Sequence, residues 1–120
     1  MSLKIYYLDD EVELCENFSD LFSGKDLVIT TFTDPSKAIE MAKNHPPDLF
    51  FLDFRLPSMT GDKVAQLLDG KIPKFLITGD IAVETQYPFI KIISKPYRVE
   101  DIDNIIQQYF HQKNVEIISN

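Results

Sequence analysis

The sequence predicts an α/β domain built on a doubly wound, five-stranded parallel sheet in the order 2-1-3-4-5. Three observations carry that prediction. Short apolar runs and amphipathic stretches alternate along the chain, strand then helix, from Leu3 to Tyr109. The run Leu49-Phe50-Phe51-Leu52 is apolar at every position, as in a strand buried on both faces. The runs also end in polar or charged residues, and in parallel sheets such strand ends gather at the edge where ligands bind.

A length of 120 residues suits one domain, spanning 1–120, with a core of about 3–112 and a short C-terminal tail. The formal net charge of −7 argues against direct nucleic-acid binding, which needs a basic face. It is compatible with a cation site or with basic partners. No apolar run is long enough to cross a membrane, and the single cysteine suits a reducing compartment, so the expected location is cytoplasmic.

Leu3 to Leu8 form the first strand, ending at Asp9-Asp10-Glu11. Val12, Cys15, Phe18 and Phe22, joined by Leu14 and Leu21, recur at helical spacing, and the preceding acids favour the positive end of that helix. Cys15 reads as a buried thiol packed as a small hydrophobe. Leu27 to Phe32 form the second strand. Asp34-Pro35 then opens a helix, with Asp34 as N-cap and Pro35 in the first turn. Its inner face is Ala38, Ile39 and Ala42, and Pro46-Pro47 ends it near His45. His45 complements the dipole at a helix end, and His111 stands alone, so neither suggests a metal pair.

The third strand is the central one, Leu49 to Asp53, followed by a loop through Pro57 to Gly61. Val64, Ala65, Leu67 and Leu68 mark a short helix stopped by Gly70. Lys74 to Thr78 is the fourth strand and Phe89 to Ser94 the fifth. Between them, Ile81 to Pro88 is weakly patterned and leaves room for a shortened fourth helix of about two turns. Val99, Ile102, Ile105, Ile106 and Tyr109 mark the last helix, and Val115 to Asn120 reads as a tail.

In the predicted sheet, Asp9, Asp10, Asp53, Thr78 and Lys95 come from four strand ends on one edge. Three clustered carboxylates repel one another and raise their own pKa values unless a cation sits among them. A small set of hard oxygen ligands suits Mg²⁺, often completed by phosphate. A hydroxyl and a lysine opposite supply the donor and positive charge a transferring phosphoryl group requires. Asp53 is then the candidate nucleophile, giving an aspartyl phosphate.

With those residues in place, the chain resembles a response-regulator receiver domain of two-component signalling, a flavodoxin-like fold. The resemblance runs through the acidic pair after strand one, Asp53-x-Arg55-Leu56-Pro57-x-Met59-x-Gly61 after strand three, Thr78-Gly79 and Lys95-Pro96. It implies that Asp53 accepts phosphate from a histidine kinase or phosphotransfer protein. It implies Mg²⁺ held directly by Asp10, mainly through water by Asp9, and by Asp53 and the backbone carbonyl of Arg55. Thr78 and Lys95 would contact phosphoryl oxygens, and the Lys95-Pro96 bond would be cis. A protein-interaction surface would switch toward an unidentified downstream protein, with homodimerisation an open option.

Two departures from the family pattern stand out. Ile92 occupies the position, three residues before Lys95, where an aromatic switch residue is usual, and Tyr97 does not substitute for it. Only residues 79–94 separate Thr78 from Lys95, which requires a short or irregular fourth helix. Arg55 and Asp80 flank the site. They either pair across its mouth and restrict water or remain two solvated charges.

Three other functions compete. A receiver-like scaffold working without phosphorylation would have no need of the Asp, Thr and Lys set. A dehalogenase-like phosphatase would need Asp-x-Asp where Arg55 follows Asp53, and an acidic loop after strand one would repel a flavin phosphate.

Overall fold

Each apolar run pairs with its neighbour in parallel, so that the chemistry-bearing strand ends share one edge. The computed structural model describes residues 2–80 and 82–119, with side chains through Val115. The elements are β1 (Leu3–Leu8), α1 (Val12–Phe22), β2 (Leu27–Phe32), α2 (Pro35–Asn44), β3 (Leu49–Asp53), α3 (Gly61–Leu67), β4 (Lys74–Thr78), β5 (Lys91–Ser94) and α4 (Val99–Ser119). The sheet order is β2-β1-β3-β4-β5, all parallel, as the alternation predicts.

Side chains of β3 alternate between two cores. Leu49 and Phe51 face α1 and α4, together with Tyr7, Phe18, Ile93, Ile102 and Ile106. Phe50 and Leu52 face α2 and α3, with Ala38, Ala42, Val64, Ala65 and Leu76. Burial on both sides explains why the run has no polar position before Asp53. Asp34 caps α2 as expected, its side chain accepting the Ser36 N–H at 3.0 Å, with Pro35 in the first turn. Thr60 caps α3 through the Lys63 N–H.

Three expectations change. No helix lies between β4 and β5 among the described residues, so the anticipated shortened fourth helix is replaced by an irregular segment. Residues 82–90 form an irregular strap on the α2–α3 side of the sheet. Val83, Thr85, Tyr87 and Phe89 are half-buried and the residues between them exposed, a period of two that a helix cannot satisfy. Val83, Tyr87 and Phe89 pack on the α2–α3 core. Two polar anchors fix the strap: the Gln86 N–H donates to Asp62 Oδ2 at 2.7 Å, and Lys74 Nζ donates to the Tyr87 hydroxyl at 2.9 Å. The strand expected from Phe89 begins at Lys91, because Phe89 and Ile90 belong to the strap.

Second, the expected tail is helix from Val115 through Ser119, Asn120 lying outside the described residues. No proline or glycine interrupts the chain after Pro96, and Lys113 Nζ ties this part of α4 to Asp48 Oδ2 and the Ser2 carbonyl, both at 2.8 Å. Third, Val12 and Leu21, read as part of the inner face of α1, are exposed, as is Val99 on α4. Cys15, Phe18 and Phe22 alone are buried on α1.

Candidate functional site

Asp9 follows β1 directly, and its N–H continues the β1–β2 ladder by donating to the Phe32 carbonyl at 3.0 Å. The residue is fully buried. Its Oδ1 accepts the Glu11 N–H at 3.0 Å, and its Oδ2 accepts both the Tyr7 hydroxyl and Lys95 Nζ at 2.8 Å. A buried carboxylate is tolerated when its lone pairs are met in this way. Asp10, the next residue, is exposed.

Asp53 ends β3 and is 8% exposed. Its Oδ1 accepts the Phe54 N–H at 2.9 Å and lies 3.4 Å from Lys95 Nζ. Burial pushes the Asp53 carboxyl up to about 6, the Lys95 charge partly opposes this, and the Asp9 charge adds to it. Burial would lower Lys95, yet its hydrogen bond to Asp9 and the charges of Asp9 and Asp53 outweigh that and hold its pKa above the ordinary value. Thr78 ends β4, buried, with its hydroxyl oxygen accepting the Asp80 N–H at 3.1 Å. The Lys95-Pro96 peptide bond is cis.

The structure thus brings Asp9, Asp10, Asp53 and Lys95 together, with Thr78 at the same sheet edge. Carboxylate oxygens of the three acids lie within 4.8 Å of one another. An all-oxygen set of this size, part buried and part open to water, fits a hard divalent ion of the Mg²⁺ type. Arg55 stands in the loop that a bridge between Arg55 and Thr60 closes, and its Nε pairs with Asp80 Oδ2 at 2.8 Å. The predicted pairing across the mouth is therefore formed, although Arg55 is largely exposed.

The raised Asp53 pKa has a consequence for stability. In the metal-free protein the native state holds this proton more tightly than the unfolded chain, whose carboxyl titrates near 3.8. The stabilising contribution is complete below about pH 4 and is lost as pH rises through about 6. Asp53→Asn cannot ionise, so in chelator it should be more stable than wild type at neutral pH, with the difference shrinking toward pH 4. Urea denaturation across this range measures it. A pH-independent difference would contradict the buried-carboxylate account.

The family model described as the response regulator receiver domain matches residues 5–107. The chain belongs to that family. A probable transcriptional regulatory protein, TcrX of Mycobacterium tuberculosis, is 31% identical over 106 residues, covering 82% of this receiver domain and 45% of that protein. The chain therefore spans about half the length of this relative. Among solved structures, the receiver domain of a putative Luxo repressor protein from Vibrio parahaemolyticus superposes with a TM-score of 0.84 at 16% identity, covering 100% of this chain and 98% of that one. The chemotaxis response regulator CheY4 of Vibrio cholerae gives 0.78 at 18% identity, covering 91% and 99%. These likenesses show the fold.

Residues outside the predicted set also shape the receiver site. Tyr7 was legible as part of a strand, but its hydroxyl meets Asp9 because residues two apart on a strand share a face. Burial, then the Asp9 charge and hydrogen bond, raise the Tyr7 pKa far above its usual value, so the group is a donor. Cys15 is buried, its thiol donating to the Asp9 carbonyl at 3.3 Å, and burial pushes it up to about 11. Ile92 is 46% exposed on the edge strand, and Tyr97 packs against Phe18 and Phe22 on the opposite face. His45 caps α2 through its backbone N–H to the Met41 carbonyl.

Proposed function

We propose that this receiver domain accepts a phosphoryl group on Asp53 from a histidine kinase or phosphotransfer protein, with Mg²⁺, and then presents an altered surface to a downstream protein. The observation that supports this most is the shared lysine, 2.8 Å from Asp9 and 3.4 Å from Asp53. A cation already between two carboxylates is placed to meet the oxygens of a group added to one of them.

The steps assigned to the chain are few. With its pKa near 6, Asp53 is mostly ionised at neutral pH and needs no base. A carboxylate oxygen attacks phosphorus, the bond from phosphorus to the donor breaks, and the donor keeps that electron pair. Lys95 contributes positive charge and Thr78 a hydroxyl donor to the phosphoryl oxygens. Asp9, Asp10, Asp53 and the Arg55 carbonyl would hold Mg²⁺, which when bound offsets negative charge on those oxygens. Water later attacks the same phosphorus, releasing phosphate and restoring the carboxylate. The domain promotes gain and loss of its own phosphoryl group and turns over no separate substrate. We place it in the cytoplasm, with no membrane or nucleic-acid contact of its own, and leave homodimerisation to measurement.

Incubation with acetyl phosphate and Mg²⁺, followed by intact mass, tests the proposal. Wild type should gain one phosphoryl group and Asp53→Ala none. No gain and no beryllofluoride binding would instead favour a scaffold that works without phosphorylation. The Arg55–Asp80 pair narrows the approach of water. Arg55→Ala should shorten the phosphoryl lifetime by about twofold, a modest effect because exposed pairs contribute little. An unchanged decay rate would dispose of the gate.

A further inference from the structure

We infer that Tyr7 is a positioning residue for phosphotransfer, one that keeps Asp9 satisfied while Lys95 moves to the phosphoryl group. The inference rests on the phospho-acceptor reading and adds a residue to it. Asp9 is fully buried and takes three protein donors, two of them on Oδ2. Lys95 makes its closer contact to that same oxygen and its longer one to Asp53. To serve a phosphoryl group on Asp53, Lys95 must weaken its hold on Asp9. Were Lys95 the sole protein donor on Oδ2, its departure would leave a buried charged oxygen with no protein hydrogen bond, at a desolvation cost. The Tyr7 hydroxyl stays behind and meets that oxygen.

Tyr7 is built to stay. The residue is 1% exposed, and its ring stacks on Phe18 at 4.3 Å with a 4° interplanar angle. The ring is fixed by the core while the hydroxyl alone reaches the site. Removing the oxygen therefore separates the two roles, because phenylalanine keeps the stacking.

With Tyr7→Phe, Asp9 depends on Lys95 more strongly, and the lysine is slower to leave. Phosphorylation by acetyl phosphate should fall about tenfold, the rate equivalent of one hydrogen bond to a charged group. Mg²⁺ affinity, measured by calorimetry on the full chain, should be unchanged or higher, since Asp9 loses a competing donor. A fall in phosphorylation without a fall in Mg²⁺ affinity is the signature of positioning, whereas a structural defect would lower both. Unchanged phosphorylation would overturn the inference, as would equal losses of phosphorylation and Mg²⁺ affinity. If wild type also fails to gain phosphate, the phospho-acceptor reading falls and this inference falls with it. A normal wild type beside an unaffected Tyr7→Phe removes only the role of Tyr7.

Discussion

Gly61→Ala is expected to destabilise the domain by about 3 kcal/mol and to suppress phosphoryl gain in whatever fraction remains folded. Helix propensity alone predicts the reverse, because alanine is favoured over glycine by about 1 kcal/mol inside a helix. Packing decides the sign. A Cβ on Gly61 would lie 2.4 Å from the Asp53 carbonyl oxygen and 3.2 Å from Leu76 Cδ1. The oxygen is backbone and cannot rotate away. Gly61 also donates its N–H to the Phe54 carbonyl at 2.7 Å, so the start of α3 is bound to the strand end it would collide with. Relief requires the end of β3 to shift, which displaces Asp53 from Lys95. Urea denaturation and intact mass measure the two effects. A variant more stable than wild type would show that the close approach is not a constraint.

Lys74→Met should lower stability by about 3 kcal/mol, with Tyr87→Phe costing about 1 kcal/mol. Lys74 is 1% exposed, and its Nζ donates to the carbonyls of Asp69 and Ile72 at 2.7 and 3.0 Å and to the Tyr87 hydroxyl. Replacing a buried charge by a hydrophobe of similar length can be neutral when its partners leave as well. Here they remain, and two carbonyls lose their donor. The loss should be accompanied by faster amide exchange across the strap, residues 82–90, because Tyr87 is one of its anchors. Asp62 Oδ1 has no hydrogen-bond partner among the described residues, so the second anchor rests on Oδ2 alone. Equal stability of wild type and Lys74→Met would refute the anchoring role.

These residues also mark where sequence reasoning stopped. Strand order and the meeting of Asp9, Asp10, Asp53 and Lys95 followed from apolar runs that end in charge, because burial on two faces leaves a recognisable signature. The strap did not. Its Val83, Thr85, Tyr87, Phe89 alternation is visible afterwards, but the apolar period is diluted by a threonine and interrupted at Pro88. Lys74 looked like an ordinary charged residue at the start of a strand, since nothing local tells that carbonyls five and two residues earlier will fold back over it. Val12 and Leu21 fitted the helical period of α1 yet stayed exposed, because Cys15, Phe18 and Phe22 already fill the space above β1 and β3. The end of α4 depended on Lys113 finding Asp48, a contact between residues far apart in the chain.

With no helix between β4 and β5 among the described residues and with Ile92 exposed, the proposed phospho-acceptor Asp53 carries the central claim. Borohydride reduction after treatment with acetyl phosphate and Mg²⁺, followed by peptide mass mapping, addresses the central claim most directly. Reduction of an aspartyl phosphate leaves homoserine, so the account predicts that Asp53 alone is converted, and only after phosphorylation. Conversion at Asp9 or Asp10 instead, or no converted residue in a protein that binds Mg²⁺, would contradict it.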